Sequence, residues 1–276
     1  MPSDNFFTYV TDAITQLLTQ HSDLFIALGR NLFRGFAVIL VAWFGIKSAL
    51  SGRGFPMDRF ASLLMTIAFG YAMVTYYSQP IPGFGLSFHN LIIKQASNLS
   101  NQIESASAEE VETRLATAYS AMEQPSGPSL LDIMQVIRYV VVILALSAAE
   151  FVLLGVIAFG LVSEAVCVLV GPIFIPFFVV PNLEWLFWGW FKAFIQYAFY
   201  PVVANAFIFV FGEMLIHFLD THPSPWNAQT IAALFVQLVF LLIAFIWGLL
   251  KVPSLVNSIF AGRSGESAIP GIVGRF

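Results

Sequence analysis

Apolar residues fall in long blocks along the chain, separated by polar stretches of unequal length. Blocks at 31–50, 59–78, 131–180, 185–219 and 228–252 each reach the roughly 20 residues that a membrane-crossing helix needs. The block at 131–180 is too long for one crossing. As a single helix it would run about 75 Å, against a hydrocarbon core of about 30 Å. It is therefore predicted to break, at Gly171-Pro172. The expected spans are 31–50, 59–78, 134–165, 188–217 and 228–250, with 166–184 as a short re-entrant or interfacial hairpin. The fold class is an all-α integral membrane protein with about five transmembrane helices, that broken segment and an N-terminal amphipathic helix.

The broken segment continues into GPIFIPFFVVPNLEWLFWGWFKAF. Gly171, Pro172, Pro176 and Pro181 interrupt regular helix. Backbone freed in this way survives at membrane depth only where protein or a wet cavity satisfies it. Trp185, Trp188, Trp190 and Lys192 are expected at the membrane interface, where indole rings settle and a lysine can snorkel. The positive-inside rule favours a periplasmic N-terminus and a cytoplasmic C-terminus in a bacterial inner membrane. Lys47, Arg53, Arg59, Lys192, Lys251, Arg263 and Arg275 then lie inside, and Tyr76 and Tyr77 lie at the outer interface.

Polar segments complete a five-part organisation: 1–30, 31–78, 79–130, 131–252 and 253–276. Residues 1–30 place Val10, Ile14, Leu17, Leu18, Leu24 and Leu28 roughly on one helical stripe, as in an amphipathic helix on a membrane or partner. The loop 79–130 is expected to be a small periplasmic cap. It has a turn-rich aromatic start and two helical candidates, 90–104 and 108–122. The tail 253–276 is short and rich in Gly and Ser.

Composition agrees with the block pattern. The chain is 58% hydrophobic and 10% charged, with mean hydropathy +0.82, whereas soluble domains carry about 25% charged residues. A formal net charge of −4 supplies no basic track, so no direct nucleic-acid site is evident. The single cysteine, Cys167, cannot form an intrachain disulfide and reads as a small packing residue. The first residues lack a signal-peptide pattern, so insertion is expected to use the spans themselves.

Three carboxylates fall within the spans: Glu150, Glu164 and Glu213. Ionisable groups at that depth are costly and are functional candidates by default. Glu150 and Glu164 would lie about 40° apart in azimuth and about 21 Å apart along one straight helix, which fits an ion path. The favoured expectation is that each is neutral or paired and joins helices, Glu164 with Lys192 for example. Glu213, His217, Asp220 and His222 cluster at one end of a span and read as an interfacial polar girdle rather than a metal site. Hydrolase, nucleotide-binding and metalloprotease motifs are absent from the sequence, so neither enzyme activity nor a cofactor is expected.

These features together resemble the TrbL/VirB-type polytopic inner-membrane subunits of type IV secretion systems. The similarity is carried by Gly171-Pro172, by the aromatic stretch Leu183 to Trp190 opening the next span, by the Pro201-containing span, and by the ending VPSLVNSIFAG with Pro253 and Gly262. The resemblance implies a non-enzymatic part of a translocation channel and pilus assembly platform for DNA or protein transfer. Expected partners are pilin and minor-pilin subunits, other inner-membrane secretion proteins, secretion ATPases, membrane lipid and further copies of the chain in a ring. The outer loop and C-terminal tail are shorter than in many relatives. A different class, a small secondary transporter or ion channel, would use the intramembrane glutamates.

Overall fold

The computed structural model describes residues 2–52, 55–103, 133–221 and 228–260, and among them the regular structure is entirely helical. Helices run over Pro2–Leu50 (α1), Met57–Thr75 (α2), 88–103 (α3), Ile133–Phe174 (α4), Glu184–Ala198 (α5), Tyr200–Thr221 (α6) and Ala228–Phe260 (α7). A 3-10 helix at Ile175–Val179 follows α4. Five helical stretches are long and apolar enough to cross a membrane: Asp12–Leu50, Met57–Thr75, Val140–Val179, Glu184–Met214 and Leu234–Phe260. This is an all-α, multi-pass membrane protein. The helical candidate at 108–122 and the tail from 261 lie outside the described residues.

Helix ends follow local chemistry. The amphipathic stripe and the first apolar block form one uninterrupted helix of 49 residues, because no proline separates them. α1 stops at Ser51-Gly52, where Gly52 takes φ +61, the left-handed conformation that a helix-ending glycine adopts without a Cβ penalty. α2 starts after Pro56 with Asp58 in its first turn, where a carboxylate favours the helix dipole. Pro201 lies in the first turn of α6, a position that needs no intrahelical N–H, and Phe199 separates α5 from α6. α7 passes through Pro253 and continues to Phe260, beyond the end at 250 that hydropathy predicted.

The chain divides into two compact units. One contains 1–95, 161–198 and the residues from 258. Its core is built on Phe33, Met73, Val74, Tyr77, Cys167, Val168, Ile175, Val179, Phe187, Trp190 and Phe194. The 3-10 helix packs against α1, α2 and α5, so an irregular segment stands at the centre of this core.

The other unit contains 96–160 and 199–257. Val142 on α4 packs with Leu238 and Leu242 on α7, and Phe218 on α6 joins them. The Tyr200 ring occupies the space where Gly160 lacks a side chain, and it meets Phe159 edge-on at 6.0 Å. Phe207 fills the equivalent gap at Gly248 and stacks on Phe211 at 4.5 Å. The buried Asn205 amide donates to the Ser100 hydroxyl at 3.0 Å, which fixes α3 to the start of α6.

Glycine spacing on α1 separates packing from mere tolerance. A Cβ on Gly29 would run into the backbone carbonyl of Pro172, whereas one on Gly35 would meet nothing. Backbone cannot move aside as a side-chain tip can, so Gly29→Ala is expected to destabilise by about 1–3 kcal/mol. Gly35→Ala is expected to be neutral or slightly stabilising. Thermal unfolding of the two variants in one detergent checks the contrast.

Candidate functional site: the proline-broken hairpin

Pro172 lies inside α4, and the helix persists to Phe174 rather than breaking at Gly171-Pro172 as the sequence predicted. A proline inside a helix has no N–H for the carbonyl four residues earlier, and its ring presses on that carbonyl. Here that carbonyl belongs to Val168. The Tyr77 hydroxyl donates to it at 2.6 Å. One residue earlier, the Cys167 carbonyl accepts from Trp190 Nε1 at 2.9 Å. Both bonds are buried, and side chains from α2's end and from α5 thus satisfy the backbone around the kink. This is one of the ways in which membrane helices accommodate proline.

Gly171 makes the arrangement possible. A Cβ there would overlap both the Tyr77 hydroxyl and the Trp190 ring. On the adjoining side Pro172 approaches Gly29 of α1. Pro172 and Pro176 are fully buried, so the freed backbone is covered by protein.

After the kink the chain follows α1 and α2. Phe177 meets Phe36 at 5.5 Å, Phe178 meets Phe69 at 5.8 Å, and Val179 fills the notch at Gly70. Gly29 to Phe36 is seven residues, so the segment advances about 10 Å along α1. It turns at Val180–Leu183, with Asn182 at φ 70, a conformation in which asparagine is enriched among non-glycine residues. α5 then returns past the kink. Phe187 stacks on Phe191 (5.7 Å, 10°) and Trp190 on Phe194 (5.6 Å, 3°), stiffening that return.

These contacts set the broken segment against the end of α2 that precedes Tyr77. Gly171 and Trp190 lie against Tyr77, which follows the last residue of α2. The hairpin opens from Tyr77's end and descends beside α2. Trp185 and Trp188 are exposed, whereas Trp190 is 6% exposed and serves the kink instead of the interface. Lys192 is exposed, and Pro181 lies exposed at the turn.

The intramembrane carboxylates stay apart from this hydrogen-bond set. Glu164 is half-buried on α4, and Glu213 is exposed on α6. Among the described residues no ion pair joins Glu164 to Lys192. Glu150 belongs to α4, and its side chain lies outside the described set, as do those of Asp220 and His222. No group of three or more His, Cys, Asp or Glu among the described residues is placed to hold a metal.

Sequence reasoning missed Tyr77, Gly29, Gly70 and His89. His89 Nδ1 lies 2.5 Å from the Tyr77 carbonyl, which can only accept, so Nδ1 carries the proton. The Phe88 N–H donates to the Tyr76 carbonyl at 3.0 Å. The start of α3 therefore caps the end of α2 twice and holds Tyr77 beneath the kink. The Tyr77 side chain is buried, and its hydroxyl acts as a donor. Burial lowers the His89 pKa, partly offset by the bond to the Tyr77 carbonyl. A proline inside a long apolar block, with a tyrosine just past another span, was the available signal. The pairing was not readable from one chain.

Two outcomes follow from these bonds. Tyr77→Phe is expected to cost about 1–2 kcal/mol, because the Val168 carbonyl loses its donor. In a Pro172→Ala background the cost should shrink, since the alanine N–H can serve that carbonyl. A double-mutant cycle by thermal unfolding in detergent measures the coupling. Because the folded-state pKa of His89 is lowered, the unfolded chain binds more protons in the interval below about pH 6.5. Stability should therefore fall as pH drops from about 7 toward 5, and His89→Gln should flatten that slope.

The comparisons with known proteins agree with this architecture. The model of a family described as TrbL/VirB6 plasmid conjugal transfer protein matches residues 37–252, which include α2, the kink, the hairpin and the helices after it. No curated protein matches the chain. With well over half of its residues matched, the chain belongs to the TrbL/VirB6 family of plasmid conjugal transfer proteins.

Proposed function

We propose that this conjugal transfer component is a non-enzymatic subunit of the bacterial inner membrane. In this reading it forms part of the translocation channel and pilus assembly platform of a type IV secretion system. Several copies surround a common axis, with pilin and minor-pilin subunits on the periplasmic side and secretion ATPases on the cytoplasmic side. The N-terminus is periplasmic, a reading supported by the positive charges Lys47, Arg53 and Arg59 close together in the sequence at the junction of the first two spans.

One observation carries the reading. The hairpin turn at Pro181, Asn182 and Leu183 is exposed, although Phe178, just before it, packs against Phe69 within α2. Phe69 lies six residues before the end of α2, about 9 Å along its axis. Irregular backbone at such depth needs protein or water beside it, not lipid. Trp185 and Trp188 flank the turn with exposed rings, the residue type favoured at the centre of protein interfaces. A neighbouring subunit, or the wet lumen that such subunits enclose, supplies what the turn lacks.

A photo-crosslinking residue at Asn182, in cells carrying the whole transfer apparatus, tests this directly. Adducts to a second copy of the chain or to another transfer subunit are expected. Joint replacement of Pro172 and Pro176 by alanine should reduce complex recovery and transfer by about tenfold or more, with chain abundance unchanged. Unaltered complex formation together with an adduct-free Asn182 would refute the proposal. Purification as an isolated oligomer with proton flux lost in Glu164→Gln would favour a transporter.

A further inference from the structure

A polar cavity of about 240 Å³ lies between α1 and the end of α2, lined by Asp23, Arg30, Thr75, Ser78 and Gln79 over a floor that includes Ile26. Its size is below the roughly 300–1,000 Å³ of drug-sized sites, so it suits one small polar group. Four residues around it bring hydrogen-bond donors: a guanidinium, two hydroxyls and a carboxamide. Arg30 is half-buried, and among the described residues it makes no hydrogen bond or ion pair. The Thr75 hydroxyl is buried without a partner. Ser78 and Gln79 are exposed at its rim, so the half-buried Arg30 and the unpartnered Thr75 hydroxyl are the groups that fit a phosphate oxyanion.

Depth decides the source of that phosphate. Thr75 is the last residue of the apolar α2, and Arg30 immediately precedes the apolar block at 31–50. The cavity therefore sits where apolar helix surface gives way to polar, at headgroup level. Helical spacing continues the same faces into the apolar region through Val38 and Val41 on α1 and Tyr71 and Leu64 on α2. All four are exposed and available to acyl chains. Asp23 lies two turns before Arg30, about 10 Å along the axis. Its carboxylate would repel a second negative charge and accept hydrogen bonds from an ammonium. A choline headgroup has no N–H to donate, and a glycerol headgroup has no positive charge.

We propose that this cavity is a binding site for the phosphoethanolamine headgroup of a membrane lipid, with phosphate at Arg30 and Thr75 and the ammonium toward Asp23. The site stands independently of any channel role.

Full-length protein is equilibrated with vesicles of phosphatidylethanolamine, phosphatidylglycerol and phosphatidylcholine in equal amounts, then extracted gently, and retained lipid is counted by native mass spectrometry. Phosphatidylethanolamine should be enriched over both others. Arg30→Gln should reduce its retention about tenfold, and Arg30→Lys should restore part of it. Lys47→Gln, at an exposed position in the last turn of α1 and away from this face, should leave the enrichment unchanged. Asp23→Asn should abolish the preference over phosphatidylcholine while keeping phospholipid bound. Should Arg30→Gln fail to fold, Thr75→Val and Asp23→Asn read the same site. Equal retention of the three lipids by the unaltered protein overturns the proposal, as does an equal effect of Lys47→Gln and Arg30→Gln. Inorganic phosphate titrated onto delipidated protein addresses a soluble source. Phosphate binding that needs Arg30, without lipid enrichment, overturns the lipid assignment.

Discussion

A single missing N–H organises the first unit of this protein. Pro172 leaves the Val168 carbonyl without its helical donor, and in a membrane no water stands ready to replace it. The Tyr77 hydroxyl fills that vacancy, and Trp190 supports the carbonyl beside it. Everything close to the kink is then constrained. Gly171 must have no side chain, because two aromatic groups occupy its place. α1 must present Gly29 where the Pro172 carbonyl arrives. α2 must end just before Tyr77, and α3 must begin where Phe88 and His89 can cap the two carbonyls that follow.

The consequence is a broken hairpin held by packing on three helices. Its 3-10 helix is too short to be stable alone, yet it stands at the centre of an aromatic and aliphatic core. Rings on α5 stack at one-turn spacing along the returning limb. Such a construction leaves its turn at Pro181, Asn182 and Leu183 exposed. Glu164 and Glu213 take no part in the hairpin's hydrogen bonds, so the bracing does not depend on charge.

Much of the helical plan was legible. Long apolar blocks force helices in a membrane because every backbone group must be paired locally, and block length against bilayer thickness made the fifty-residue run break. The prolines marked the region of that break but not its residue: the helix carries through Pro172 because Tyr77 rescues the orphaned carbonyl, and regular structure changes only at Ile175. The three tryptophans show the limit most clearly. Trp185, Trp188 and Trp190 share composition and neighbourhood, yet two are exposed and one is buried. What separates them is helical phase relative to a kink in another helix.

By itself, then, the sequence determined class and components: an all-α membrane chain, its spans, a segment unable to remain plain helix, and a family resemblance resting on Gly171-Pro172 and the aromatics after it. These follow from local quantities, namely hydropathy, block length and the missing N–H of proline. The tertiary structure alone decided which end of α2 the hairpin opens from, which donors serve the kink, and which glycines are close approaches. Each of those depends on side chains meeting across 91 residues for Tyr77 and Val168 and 23 for Trp190 and Cys167. Pairings at such separations leave no periodicity in a single sequence, because they are set by how helices pack and not by how any one of them is written.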